Sequence, residues 1–235
     1  MALRYDLLLK GGEVFDPGQN VRGPRDVAFN GGLVAAVESE IGREEAREVV
    51  DVTGRLVTPG LIDIHGHYFP FLEMGNHPAA VADEDCLPYG VTTSMDAGST
   101  GALHFETFRE YVLSKQETRL YALVNLSMLG MYGMGGDFGH TVGISGGPKT
   151  LLPTNRVGEL QDLRYAHVER AIERIKENGN LVLGVKVRVD TGITGETNAV
   201  ACLERARQVA DSTDTFVMVH VARSPISLAT VFEHL

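Results

Sequence analysis

Short apolar runs separated by turn residues open the chain. Leu7-Leu8-Leu9, Val27-Ala28-Phe29, Leu33-Val34-Ala35-Ala36-Val37 and Val49-Val50 are divided by Gly11-Gly12, Asp16-Pro17-Gly18 and Asn30-Gly31-Gly32. Asn-Gly between apolar runs signals a hairpin, because a tight two-residue turn needs residues that accept positive φ. Residues 1–58 are therefore predicted as a small antiparallel β unit.

From residue 59 the rhythm changes. Pro59-Gly60 marks a break, and apolar strands are predicted at Leu61–His67, Val91–Ala97, Leu120–Leu126, Leu181–Val189 and Thr215–Val221. Helical spacing fills about 79–88, 103–116, 159–178 and 198–211, and residues 225–235 read as a closing helix. Strands alternating with helices indicate βαβ units and a parallel sheet. Residues 59–235 are thus expected to form an α/β unit of five strands. Residues 130–158 interrupt the pattern with a glycine-rich stretch after the third strand. A loop of that length in a compact domain is functional or disordered, so a lid and a simple insertion are both open.

Composition narrows the functions. Hydrophobic residues make up 43% and charged residues 22% of the chain, enough for a sizeable core. A net charge of −10 argues against nucleic acid, which calls for a basic face. Cys86 and Cys202 form no CxxC pair, so neither a disulfide framework nor a thiolate metal site is expected. Met1 to Asp6 lack the apolar run of a signal peptide, and no stretch approaches the roughly 20 apolar residues of a membrane span. A cytoplasmic location without membrane contact is the expectation.

The candidate chemistry lies at the strand ends. Alternate residues of a strand share a face, so Asp63, His65 and His67 point one way, and Ile62, Ile64 and Gly66 the other. Two imidazoles on one face can grip a divalent cation, whereas a lone core histidine is usually structural. In Leu181–Val189, Lys186 and Arg188 stand opposite an apolar stripe. An inward lysine is costly without a partner; its amine is either salt-bridged, to Asp63 or Asp96, or neutral and able to add carbon dioxide. His220 closes the fifth strand. Polar residues recur at all five ends (Asp63/His65/His67, Asp96/Ser99, Asn125/Ser127, Lys186/Arg188 and His220/Arg223), as on the active-site face of a (β/α) barrel. His77, His104, His140 and His167 read as solvent-facing, with His140 in the glycine-rich loop. Asp96 reads as a structural hydrogen-bonding group.

Thr58-Pro59-Gly60-Leu61-Ile62-Asp63-Ile64-His65-Gly66-His67 resembles the first-strand signature of the amidohydrolase superfamily. Gly90-Val91-Thr92-Thr93, Asp96-Ala97-Gly98-Ser99, Gly184-Val185-Lys186-Val187-Arg188 and Val217-Met218-Val219-His220 resemble its later strands, in the dihydroorotase-like deacetylase branch. The resemblance implies a TIM-type (β/α) barrel, with 1–58 as part of a small β-sandwich. It implies that His65 and His67 hold one metal, that Lys186 bridges two metals as a carbamate, and that His220 binds the second. Zinc suits such ligands, and a metal-activated hydroxide would attack the carbonyl of an N-acyl or ester substrate. Arg188 is placed, by geometry, to hold a substrate carboxylate through its planar fork.

The same resemblance implies three further strands, a histidine on the sixth and a proton-shuttling aspartate on the eighth. Residues 59–235 number 177, against about 250 for a complete barrel. A barrel truncated after about five βα units is therefore expected, with metal bound at a partial site, low turnover alone, and apolar edges open to self-association or to a chain supplying the missing strands. Two other functions stay open: cyclic-amide hydrolysis of the dihydroorotase or hydantoinase kind, and a non-catalytic metal-binding or assembly role. A cupin-like His-x-His site conflicts with the helical segments.

Overall fold

A computed structural model describes residues 3–69, 79–131 and 157–235. His77, His140 and nearly all of the glycine-rich 130–158 segment fall outside them, and with them the lid expectation. The chain divides into two compact units, one up to Leu61 and one from Ile62.

The first unit is one sheet. Its strands are β1 (Tyr5–Asp16), β2 (Val21–Asn30), β3 (Leu33–Glu38), β4 (Ala46–Asp51) and β5 (Leu56–Val57). β2 and β3 form the expected hairpin, with Gly31 and Gly32 both at positive φ between the paired Asn30 and Leu33. Two expectations need correction. The sheet is mixed rather than antiparallel, since β1 pairs in parallel with β4 and β5. Gly11-Gly12 is no turn but a break in register within β1, with Gly11 at φ +77°; a strand glycine often marks such a bulge. Beside it, the buried Asp26 carboxylate accepts from Gly11 N (2.8 Å), Ile41 N (2.8 Å) and Lys10 Nζ (2.7 Å). Tyr5, Leu8, Ala28, Ile41 and Ala46 make the core.

The second unit carries β6 (Leu61–Gly66), β7 (Val91–Asp96), β8 (Arg119–Asn125), β9 (Val182–Val189) and β10 (Phe216–Val221), ordered β10-β9-β8-β7-β6. The β7–β8, β8–β9 and β9–β10 pairs are parallel. The sheet curls into half of a (β/α) barrel. Its helices are α1 (Ala82–Asp85), α2 (Phe105–Tyr111), α3 (Val168–Glu177), α4 (Thr191–Thr194), α5 (Ala199–Thr213) and α6 (Leu228–Glu233). In α5 the buried positions Ala199, Cys202, Leu203, Ala206, Val209 and Ala210 trace one helical stripe. α5 packs on α3, β9 and β10, where it covers the apolar side of β9, Val185, Val187 and Val189.

The helix expected over 159–178 starts only at Val168, with His167 as its N-cap, its side chain accepting from Arg170 N. Residues 159–167 have helical periodicity, but their backbone bonds elsewhere. Leu160 N donates to Ile193 O, Asn198 Nδ2 donates to the Leu160 and Gln161 carbonyls, and Met128 N donates to Tyr165 O. No helix among the described residues is long and apolar enough to cross a membrane.

Candidate metal centre

The curl of the sheet gathers side chains that the chain order keeps apart. β6 carries His65 and, just past its end, His67, with ring centroids 5.5 Å apart and nearly perpendicular. Lys186 lies on β9, three strands away in sheet order. Register pairs Asn125 and Met218 with Lys186, and His220 with Arg188, so Lys186, Arg188 and His220 share one face of the sheet. Their charges act on one another. Burial, reinforced by His65, Lys186, Arg188 and His220, pushes the His67 imidazole down to about 4. Burial and Lys186 also lower His65, against the pull of Asp63. Burial, Arg188 and Lys186 lower His220. Each of these shifts favours the neutral ring, the form that ligates a metal.

Lys186 is the unusual member. It is 1% exposed, and among the described residues its Nζ has no hydrogen-bond partner. Burial, then the neighbouring Arg188, pulls its pKa to about 8, against the opposing charges of Asp96 and Glu159. The salt bridge weighed from sequence does not form. Asp63 Oδ1 instead accepts from His65 N (2.9 Å). Asp96 accepts from Tyr68 N (2.9 Å), Ser99 N (2.7 Å) and Ser99 Oγ (2.8 Å), the structural role expected of it. Burial nonetheless holds Asp96 above the ordinary carboxylate range, opposed by these bonds. The Lys186 stem lies against Gly98, whose φ is +79° and where a Cβ would sit 2.5 Å from Lys186 Cβ.

Arg188 is 5% exposed and meets Glu159 two-fold, Nε to Oε1 at 2.8 Å and Nη2 to Oε2 at 2.6 Å. Glu159 thus engages Nε and Nη2 of the guanidinium expected from sequence to hold a substrate carboxylate. Glu159 was not singled out, because its stretch reads as helix; the signal was Arg188 itself, since a buried guanidinium needs a counter-charge. Arg223 likewise pairs with the buried Asp190, Nη2 to Oδ1 at 2.8 Å. Ser99 has a further role, its Oγ lying 2.9 Å from His67 Nδ1.

Among the described residues, no three His, Cys, Asp or Glu side chains form a group able to hold a metal. A centre built from these residues therefore needs Lys186. The donor set suits one: the imidazoles of His65 on β6 and His67 just past it, a third on β10, and a buried amine with no partner among the described residues, which as a carbamate would supply the anionic oxygens that such a site wants.

No family model matches the chain. Among curated proteins, a deacetylase of Agrobacterium fabrum is 30% identical over 212 residues, 89% of this chain and 46% of its own length. A deacetylase of Enterococcus faecalis is 28% identical, over 94% of this chain and 51% of its own length. A dihydroorotase of Citrifermentans bemidjiense is 31% identical over 56% of this chain. The chain thus spans about half the length of the curated deacetylases it matches. The crystal structure of a dihydroorotase superposes with a TM-score of 0.75 at 27% identity, covering 97% of this chain and 54% of that one. That of an adenine deaminase gives 0.72 at 28%, covering 94% and 51%. Homologues named deacetylase, dihydroorotase and adenine deaminase cover most of the chain, and its structural neighbours lie in the amidohydrolase superfamily.

Proposed function

We propose that this chain carries part of a metal-dependent hydrolase site at which water attacks the carbonyl of a small N-acyl or ester substrate and the C–N or C–O bond breaks, releasing the amine or alcohol and a carboxylate. The observation that carries this reading is the buried Lys186 amine, which among the described residues has no hydrogen-bond partner, beside three imidazoles whose lowered pKa values favour the neutral form. His65, His67 and a carbamate on Lys186 would hold one metal, and the same carbamate with His220 would contribute to a second. Zinc is the metal that these ligands suit. Bound there, the metals would supply activation of water and polarisation of the carbonyl.

This chain's own residues set the conditions. Burial favours the neutral rings and lowers the Lys186 amine pKa to about 8, which brings its neutral, carbon dioxide-reactive form within reach, and Glu159 holds Arg188 in place beside Lys186. With its fork on Glu159, Arg188 acts through charge on its neighbours rather than as the substrate clamp. Because the chain spans about half the length of its relatives, turnover is proposed for a protein in which the remaining strands are supplied, in the same chain or by another.

Metal analysis after expression with zinc and bicarbonate tests the site. Stoichiometric zinc is expected in the unaltered chain, and a carbamate carbon signal after labelling with ¹³C-bicarbonate. His67→Ala and Lys186→Ala should each lose most of the metal while retaining the same circular dichroism. A chain that takes up no metal under these conditions would overturn the reading. Cyclic-amide hydrolysis is a second reading, supported by the dihydroorotase superposition over 97% of the chain. Comparing N-acetyl amino acids with dihydroorotate as substrates of the zinc-loaded protein separates the two.

A further inference from the structure

His67 does not stand alone. Its Nδ1 lies 2.9 Å from Ser99 Oγ, and Ser99 Oγ donates to Asp96 Oδ2 at 2.8 Å. The same Oδ2 accepts from Tyr68 N at 2.9 Å, and Oδ1 accepts from Ser99 N at 2.7 Å. Each carboxylate oxygen accepts a backbone N–H, and Oδ2 also accepts the Ser99 hydroxyl proton, the bonding pattern of an ionised carboxylate. A hydroxyl has one proton. Ser99 commits it to Asp96, so toward His67 its oxygen can only accept. The proton of the neutral ring must then sit on Nδ1, and the lone pair on Nε2.

We propose that Ser99, anchored by Asp96, is a positioning residue that locks His67 in the Nδ1–H tautomer and so presents Nε2 to the metal. The inference deepens the function proposed above and rests on it for its purpose, though not for its geometry. Asp96 is fully buried and Ser99 nearly so, so the chain of bonds is sheltered from competing water. Partners that orient a ligating histidine in this way are worth about 10–100-fold in metal affinity.

The test reads the tautomer directly. Long-range ¹H–¹⁵N spectra of the metal-free chain, with ¹⁵N-labelled histidine, should show His67 protonated at Nδ1. Ser99→Ala should shift part of the population to the Nε2–H form, and Ser99→Thr, which keeps the hydroxyl, should restore the original pattern. Zinc affinity should fall about 10–100-fold in Ser99→Ala and recover in Ser99→Thr. A His67 signal unchanged by Ser99→Ala would overturn the proposal even if zinc still binds. If the tautomer follows the hydroxyl while no chain binds zinc, the metal reading fails and the positioning of the ring stands.

Discussion

Gly98 shows how narrowly the site is built at the level of single residues. Its backbone is left-handed, and its missing side chain makes room for the Lys186 stem. Gly98→Ala would add the cost of a left-handed L-residue, about 1–2 kcal/mol, to overpacking of about 1–3 kcal/mol. Stability should fall by about 2–5 kcal/mol, and zinc content with it; a thermal midpoint and metal load equal to the unaltered chain would contradict this. Away from the site, Asp26 concentrates a second residue-level effect. Burial raises its pKa, but the Lys10 hydrogen bond and the Ile41 and Gly11 N–H groups more than reverse this, leaving it lowered. A lowered folded value means that its contribution is complete above the unfolded carboxyl pKa of about 3.9. It is lost as pH falls through the lower folded value. Asp26→Ala should quicken amide exchange at Gly11 and Ile41 at neutral pH, by an amount equivalent to about 2–4 kcal/mol of local stability. As the pH falls below the unfolded carboxyl value and through the lowered folded one, the difference from the unaltered chain should shrink.

At the scale of elements, periodicity reported type well and partnership poorly. The strands of the second unit lie where apolar runs predicted them, because a strand buried on one or both faces must carry its pattern in sequence. The Asn30-Gly31-Gly32 turn was legible for a similar reason, since positive φ leaves a composition mark. The parallel pairing of β1 with β4 and β5 leaves none, as either direction buries the same side chains. Residues 159–167 misled because helical spacing records which side chains are buried, not where the backbone bonds. Within the candidate site, His65, His67, Lys186 and His220 stood out by residue type at strand ends. Ser99 stood out only as one of the polar residues at those ends, without its role toward His67, and Glu159 did not stand out. A serine partner of a ring, or a glutamate partner of a buried arginine, is defined by distance across the fold rather than by spacing along the chain.

At the scale of the described residues as a whole, the five-stranded sheet has β6 and β10 as its outer strands. Ile62 and Ile64 on β6 are 68% and 64% exposed, and Phe216 on β10 is also exposed. Unpaired strand edges with apolar side chains favour association. Light scattering should therefore rise with concentration, and replacing Ile62 and Ile64 by threonine should reduce the rise without loss of secondary structure. Scattering unchanged by the pair of substitutions would place the sticky surface elsewhere.

The three-strand separation of His65 and Lys186 has a kinetic meaning. Histidines of β6 leave the ribosome long before β9 exists, and nothing local can bring Lys186 to them. Their meeting requires that β7 and β8 already be laid between, so it belongs to the slow, non-local end of folding. Under the proposed function, an ion held by Lys186 and both imidazoles would bind only the state in which these strands have met, and would stabilise that state by an amount that grows with the logarithm of its free concentration.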